Sequence, residues 1–170
     1  MELELWGNKL KYENGEIWNY RTLNSISKKY DWFKIKFSEH KVFKKKEQKW
    51  IIYYFCMLKN PETKKSRQFA KHRLVYKLHN PEWDIMDTSQ DNFIDHIDGM
   101  NNDISNLRVV SNQKNLFNTK SKGYTRNQNK WLSQIVINRE VKNLGRFDTE
   151  EEAHEVYLKA KKKISYYLTF

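Results

Sequence analysis

The 170-residue sequence has little cysteine, proline or glycine, with one, two and five residues of each. A single cysteine, Cys56, excludes an internal disulfide and a zinc site built from several cysteines. Because Cys56 stands in the apolar segment 51–57, we expect it to pack as a small core residue. The sequence also lacks an apolar run of membrane-spanning length, and its acidic start, Met1-Glu2-Leu3-Glu4, is unlike a secretory signal. These absences predict a cytoplasmic protein with no membrane partner.

Acidic residues are too few to balance the basic ones. The chain has 32 Lys and Arg against 21 Asp and Glu, which gives a formal net charge of +11. Aromatic residues make up 15% of the sequence and hydrophobic residues 38%, enough for folded cores. The length suits one ordinary domain or two to three small ones. The charge is typical of proteins that bind nucleic acid.

The first third is predicted to be mostly β-structure. Asn14-Gly15 lies between two strand-like runs and predicts a tight hairpin. Residues 32–37 alternate apolar and polar side chains, as a half-buried strand does, and 50–58 form an apolar strand. After a turn at 60–63, residues 66–71 are expected to pair back as the next strand.

A basic run separates two of these strands. It allows two interpretations: a solvated loop that keeps an aromatic-rich protein soluble, or a surface that contacts phosphate groups. The sequence alone leaves both open. Its members are Lys41, Lys44, Lys45, Lys46 and Lys49.

The chemistry is expected in the middle of the chain, where Asp95 directly precedes His96 on a short apolar strand. A turn at Gly99 and an asparagine-rich loop follow, and then a second short strand. Ser111 is placed to cap a helix that carries Asn115. Adjacent strand residues point to opposite faces, so Asp95 and His96 share a site only at a strand end or a bulge.

These residues occur in an order that resembles the HNH nucleases, specifically the phage and intron-encoded homing type. The resemblance implies a ββα-metal fold that cleaves the DNA backbone at a long recognition site, as a homing endonuclease of a mobile element does. At the first part of the pattern, residues 72–79 are expected to form a helix that ends before Asn80-Pro81. The matching residues are Phe69-Ala70-Lys71-His72-Arg73-Leu74-Val75, Ile94-Asp95-His96-Ile97-Asp98-Gly99, Asn106-Leu107-Arg108-Val109-Val110-Ser111 and Asn115.

The resemblance also implies a role for each residue. His96 is the general base, because a neutral imidazole accepts a proton from water near pH 7. Asp95 and Asn115 supply oxygen ligands to a divalent metal, expected to be Mg²⁺ with Mn²⁺ as the alternative. Asn106 holds the loop and orients the histidine. His72 buttresses the metal site or contacts substrate; the alternative is a structural histidine.

The last fifty residues form a second pattern. Three strand-like segments begin at Gly123, Lys130 and Val141, and Thr149 to Glu152 make a capping box at a helix start. Apolar residues then recur at helical spacing, so one helix is expected to pack on a three-stranded antiparallel sheet. The polar, basic segment before Gly123 is the predicted domain boundary.

This unit resembles the ethylene-response-factor (AP2-like) DNA-binding domain, which homing HNH proteins also carry. The resemblance rests on Gly123-Tyr124-Thr125-Arg126, Lys130-Trp131 and Asn143-Leu144-Gly145-Arg146-Phe147 with the capping box. It implies that the sheet lies in the major groove of DNA. For Trp131, packing against the helix is an equal alternative. The implied DNA contacts are Arg126, Lys130, Trp131, Arg139, Lys142 and Arg146.

The sequence therefore predicts an α+β protein in three parts: a β-rich region (1–65), an HNH core (66–120) and a sheet-plus-helix DNA-binding domain (121–170). The expected function is metal-dependent hydrolysis of double-stranded DNA by a monomer or homodimer. One active site per chain would nick, and cutting both strands would need two chains or two binding events. The alternatives are a sequence-specific DNA-binding regulator with a catalytically silent HNH core, and an RNA-binding protein supported only by charge and aromatic content.

Overall fold

A computed structural model of the chain describes residues 1–23, 26, 28–45, 48–89, 91–118 and 121–167. In these ranges it has twelve β-strands in four sheets and three α-helices, which confirms the α+β class. The chain divides into two compact units. The first comprises Met1–Thr88 with Ile94–Val109, and the second Ser89–Phe93 with Val110–Phe170. The predicted division into three parts stays a prediction.

The first unit begins with a four-stranded antiparallel sheet in chain order, with Leu10 and Ile17 fully buried on one face. The predicted hairpin is confirmed. Asn14 and Gly15 have φ angles of 52° and 79°, because a two-residue turn of this twist needs positive φ at both positions. The strands are β1 (Glu2–Leu5), β2 (Asn8–Glu13), β3 (Glu16–Thr22) and β4 (Tyr30–Lys34).

A three-stranded antiparallel sheet follows, formed by β5 (Ser38–Lys44), β6 (Lys49–Lys59) and β7 (Ser66–Ala70). The sequence predicted β6 and β7. The loop interpretation of the basic run is wrong for Lys41 and Lys44, which lie in β5, and for Lys49, the first residue of β6; Lys46 is outside the described residues. Since β5 is an edge strand, its backbone pairs with β6 while its lysines remain in solvent.

Helix α1 (Lys71–His79) confirms the predicted helix before Pro81. Its apolar face, formed by Leu74, Val75 and Leu78, is at most 2% exposed. These side chains join a core with residues from both sheets and with Cys56, which is 5% exposed as predicted. Burial raises the pKa of the Cys56 thiol to about 11.

The central stretch follows the predicted strand–loop–strand–helix order. Strands β8 (Phe93–His96) and β9 (Leu107–Val110) form a two-stranded sheet, and a 3-10 helix at Ile104–Asn106 closes the loop between them. Helix α2 (Asn112–Asn118) comes next. The backbone N–H of Lys114 donates to Oγ of Ser111 at 3.2 Å, which confirms the predicted helix cap.

The second unit contains the predicted three-stranded antiparallel sheet: β10 (Tyr124–Asn127), β11 (Lys130–Ile137) and β12 (Glu140–Phe147). Helix α3 (Glu150–Tyr167) follows and buries Ala153 and Tyr157. The capping box is confirmed, since Glu152 N–H donates to Thr149 Oγ1 at 3.2 Å and Thr149 N–H to Glu152 Oε2 at 3.4 Å.

Helix α2 is tied to the hairpin that joins β11 and β12. The Gln113 side chain donates to the carbonyl of Val136 at 3.0 Å and accepts from the backbone N–H of Asn138 at 2.9 Å. A seven-residue helix is marginal alone, so this double hydrogen bond gives α2 a tertiary anchor. Among the described helices, none is long and apolar enough to span a membrane.

Candidate active site

His96 is the last residue of β8. Asp95, one position earlier, is 9% exposed, while the His96 ring is half-buried. This is the strand-end arrangement that the sequence requires if two adjacent residues are to act together. The loop that follows turns at Gly99, which has a φ of 59°.

The imidazole of His96 is held by Asn102. Nε2 of His96 lies 3.0 Å from Oδ1 of Asn102. With that oxygen as acceptor, Nε2 carries the proton and donates it, and Nδ1 becomes the basic nitrogen of the neutral ring. The hydrogen bond therefore selects the tautomer and fixes the ring orientation.

His72, on α1, lies beside this ring. The two ring centroids are 5.2 Å apart with an interplanar angle of 64°, an edge-to-face contact. Burial, followed by the nearby His96 and Arg73, lowers the pKa of His72 from its ordinary 6.5 to about 4. The His72 ring is thus neutral at pH 7, so it packs against His96 without adding a positive charge.

Asn106 holds the loop, as the resemblance implies, but it does so through backbone groups. Its Oδ1 accepts from the N–H of Asp98 at 2.8 Å, and its Nδ2 donates to the carbonyls of Asp98 (2.8 Å) and Asn101 (2.7 Å). His96 instead donates its hydrogen bond to Asn102, a residue without an assigned role in the sequence-based prediction. Three asparagines in one short loop look alike in sequence, so no sequence signal separates these roles.

Asp95 is paired with Arg108 across the two-stranded sheet. Nε and Nη2 of Arg108 both donate to Oδ2 of Asp95, at 3.2 and 3.0 Å. The Asp95 side chain is 10% exposed and that of Arg108 46%. The guanidinium thus brings positive charge to a nearly buried carboxylate. Arg108 was also missed as a site residue, although it lies inside the matched segment.

The predicted metal ligands are distributed over both units. Asp95 belongs to the first, and Asn115 lies on α2 in the second, so their joint ligation stays a prediction. In the described part of the chain, no three His, Cys, Asp or Glu side chains gather into a group suited to a metal ion. Asp95 is the carboxylate that directly precedes His96 on β8, and further oxygen ligands would come from an amide, water or phosphate.

The C-terminal sheet has one face against α3. Ser133 lies on that face, since its hydroxyl donates to the carbonyl of Ala153 on α3 at 2.8 Å. Trp131, two residues earlier, lies on the same face with its cross-strand partner Arg126, whose guanidinium is 5.9 Å from the Trp131 ring. For Trp131 the packing alternative therefore fits the geometry, and the six predicted DNA contacts do not share one face.

Arg146 lies on the opposite, open face, paired with Leu132. The register shifts between Ser133 and Gln134, so Lys142 pairs with the buried Ile135 rather than following Arg146 on the open face. Lys130 forms an ion pair with Asp148 at 2.9 Å, and Arg139 lies in the β11–β12 turn with a φ of 69°. The open face also presents Thr125, Gln134 and Asn143, which the sequence analysis did not select.

Comparison of the chain with protein-family models, with curated proteins and with solved structures finds no match.

Proposed function

We propose that this chain is a DNA endonuclease of the HNH homing type, which hydrolyses phosphodiester bonds of double-stranded DNA with a divalent metal. One observation carries the proposal. His96, with its tautomer selected by Asn102, ends the strand that holds the nearly buried carboxylate of Asp95. A base and a metal-binding oxygen are the two groups that such a hydrolysis needs from the protein.

His96 is the general base. With Nε2 bound to Asn102, Nδ1 takes a proton from the attacking water as the water oxygen bonds to phosphorus and the 3′ oxygen departs. The neutral His72 beside it adds no positive charge next to the base. Asn106 keeps the loop in the conformation that presents Asn102.

The donor chemistry fits a hard divalent cation, Mg²⁺ with Mn²⁺ as the alternative. Mg²⁺ is held by one or two carboxylates together with phosphate and water oxygens, so one carboxylate at Asp95 is consistent with it. When bound, the cation stabilises negative charge on the phosphate and on the leaving 3′ oxygen. Asp95 would hold it, and the amide oxygen of Asn115 is the second ligand that the resemblance adds.

The strand–loop–strand–helix order from β8 to α2 supports a ββα-metal core, and the positive charge of the chain supports a DNA partner. The C-terminal sheet is proposed to contact DNA through its open face, where Arg146 is exposed. Arginine can read guanine in the major groove with two hydrogen bonds.

The test is conversion of supercoiled DNA, carrying the sequence that flanks the gene, in the presence of Mg²⁺ or EDTA. His96→Ala should retain DNA binding while cleavage falls by about 10²–10⁴-fold, because the base is lost. His40→Ala is the matched control, since His40 is exposed on β5 and its ring lies edge-to-face against Phe55. Open-circle product means nicking, and linear product means cleavage of both strands.

Metal binding is tested separately by calorimetry with Mg²⁺. Asp95→Ala should abolish the heat of binding, and Asn115→Ala should weaken it. Undiminished Mg²⁺ binding by Asp95→Ala would remove Asp95 from the site. If the wild type shifts DNA in a gel but converts none in Mg²⁺ or Mn²⁺, the chain is a DNA-binding protein with a silent core.

A further inference from the structure

A groove lies in the first unit, between the first sheet and the second. Its volume is about 630 Å³, and β6 forms one wall while the side chains of β3 and β4 form the other. A hydrogen bond joins the two walls, because Nδ2 of Asn8 donates to the carbonyl of Lys59 at 3.2 Å. The size is within the range of sites that hold a ligand of a few hundred cubic ångströms.

The lining is strongly positive. Arg21, Lys34, Lys36, Lys59 and Lys64 line the groove and are exposed to solvent. No Asp or Glu occurs among the described lining residues. Neither Lys36 nor Lys59 forms an ion pair within the described ranges. Such a surface repels cations and favours an anionic ligand, while Phe33, Ile35 and Met57 add apolar contacts along its walls.

The opposite face of the first sheet is different. There each lysine has its own carboxylate: Lys9 with Glu2 at 3.0 Å, and Lys11 with Glu13 at 2.9 Å. The side chain of Lys34 extends to Glu16 at 2.8 Å. The lysines named on the outer face are therefore paired with carboxylates, whereas Lys36 and Lys59 in the groove form no ion pair within the described ranges; Asp31 is the cross-strand neighbour of Arg21.

The groove also offers rigid support for one of its cations. The guanidinium of Arg21 lies 4.5 Å from the ring centroid of Phe33 on the neighbouring strand. Stacking on an aromatic ring holds the guanidinium plane while its N–H groups remain free for an anion. Lys64 is held differently, with its ammonium 2.5 Å from the carbonyl of Pro61.

We propose that this groove binds the phosphate backbone of DNA independently of sequence, as an anchoring surface separate from His96. Exposed cations along the groove can each pair with a phosphate along a DNA strand. Each such contact releases counterions from the DNA. Base edges are not required, because backbone contacts position a protein without specifying sequence. The choice of DNA rests on the proposed function, but no step of the inference uses hydrolysis.

The experiment measures binding of a 30-base-pair duplex by fluorescence anisotropy in EDTA at several salt concentrations. The double variant Lys36→Gln/Lys59→Gln should lower the slope of log K against log salt by about 2, or about 0.9 for each lost phosphate contact. The matched control is Lys9→Gln/Lys11→Gln, which removes the same charge from the outer face of the first sheet, away from the groove. It should leave the slope unchanged, and melting temperatures verify that both variants fold.

Equal slope changes in both double variants would contradict the proposed role of the groove, because the effect would then be one of net charge. An unchanged slope in the groove variant would also overturn it, whatever the nicking assay shows. A slope change seen only with an RNA duplex of the same sequence would overturn the assignment to DNA. Reduced DNA binding by the groove variant, in a protein that never cleaves DNA, would support the groove and reject the endonuclease.

Discussion

Arg108 donates both of its hydrogen bonds to Asp95 to a single carboxylate oxygen, Oδ2. The pair joins the two strands that frame the proposed active site. If Asp95 ligates a metal, the guanidinium and the cation are bound by the same carboxylate. Arg108 would then compensate the charge of Asp95 in the metal-free protein.

The first prediction follows from this pair. In EDTA, Arg108→Gln should lower the free energy of unfolding by about 1–2 kcal/mol, because a nearly buried carboxylate loses a charged donor. The exposed half of Arg108 keeps the value below that of a fully buried pair. Urea unfolding measures it, with Lys142→Gln, which breaks an exposed pair with Glu140, as the control. Equal stability of Arg108→Gln and wild type would contradict the pair's role.

The second prediction separates the two asparagines of the loop. Asn102→Ala should leave the melting temperature nearly unchanged and slow cleavage about 10–100-fold, the effect typical of losing an orienting partner. Asn106→Ala removes three hydrogen bonds to the loop backbone, so it should lower the free energy of unfolding by about 1–3 kcal/mol as well. If Asn102→Ala cleaves like the wild type, His96 is oriented by something else.

The third prediction concerns pH. The folded pKa of His72, about 4, is below its ordinary 6.5, so the unfolded chain binds a proton first. Stability should therefore fall as pH drops from about 6.5 towards 4, by at most about 1.4 kcal/mol per pH unit from this group. His72→Phe keeps a ring and removes the titration. Its unfolding free energy should be less steep in pH over this window; parallel curves for variant and wild type would reject the assignment.

The fourth prediction tests the two faces of the C-terminal sheet. Arg146→Ala, on the open face, should weaken DNA binding without changing stability. Trp131→Ala, on the helix face, should instead lower the free energy of unfolding by about 1–3 kcal/mol, less than for a fully buried Trp. Anisotropy and urea unfolding of both variants would show the crossed pattern. Loss of DNA binding by a fully stable Trp131→Ala would place Trp131 at the DNA after all.

The fifth prediction is a packing test in the second unit. A Cβ on Gly123, which has a φ of +72°, would lie 1.9 Å from Cγ of the buried Tyr157. Gly123→Ala should cost about 2–4 kcal/mol, because the clash adds to the left-handed backbone. Gly99 has a φ of +59° and open space around it. Gly99→Ala should therefore lower the free energy of unfolding by only about 1 kcal/mol. Calorimetric melting of the two variants gives the comparison.

Local sequence signals were sufficient to predict those turns and helix caps whose structure depends on a few adjacent residues. The Asn14-Gly15 hairpin, the Ser111 cap and the Thr149–Glu152 capping box each need only a few consecutive residues. Strand β5 was missed because its lysines suggested a loop, whereas pairing with β6 determines it. Tertiary pairing outweighs intrinsic preference at such an edge.

The candidate site was predictable in its residue types and less so in its contacts. The irregular register opposite Ser133 and Gln134 reverses the alternation along β12, so Lys142 and Arg146 lie on different faces although regular spacing would unite them. The partner of His96 depends on which asparagine the loop brings near, and that of Asp95 on how β9 pairs with β8. Both are set by the three-dimensional course of the chain, which no spacing rule encodes.

The hydrogen bonds that attach α2 to the β11–β12 turn limit where recombination can break the chain. Gln113 bonds the turn between β11 and β12, so α2 belongs physically to the sheet that follows it. An exchange of genetic segments that breaks the chain after Asn118 would leave this short helix without its support. A break before Ser111 would carry the helix, its cap and Asn115 away together. We therefore expect recombination that yields a folded protein to transfer the segment that begins at Ser111 as one unit.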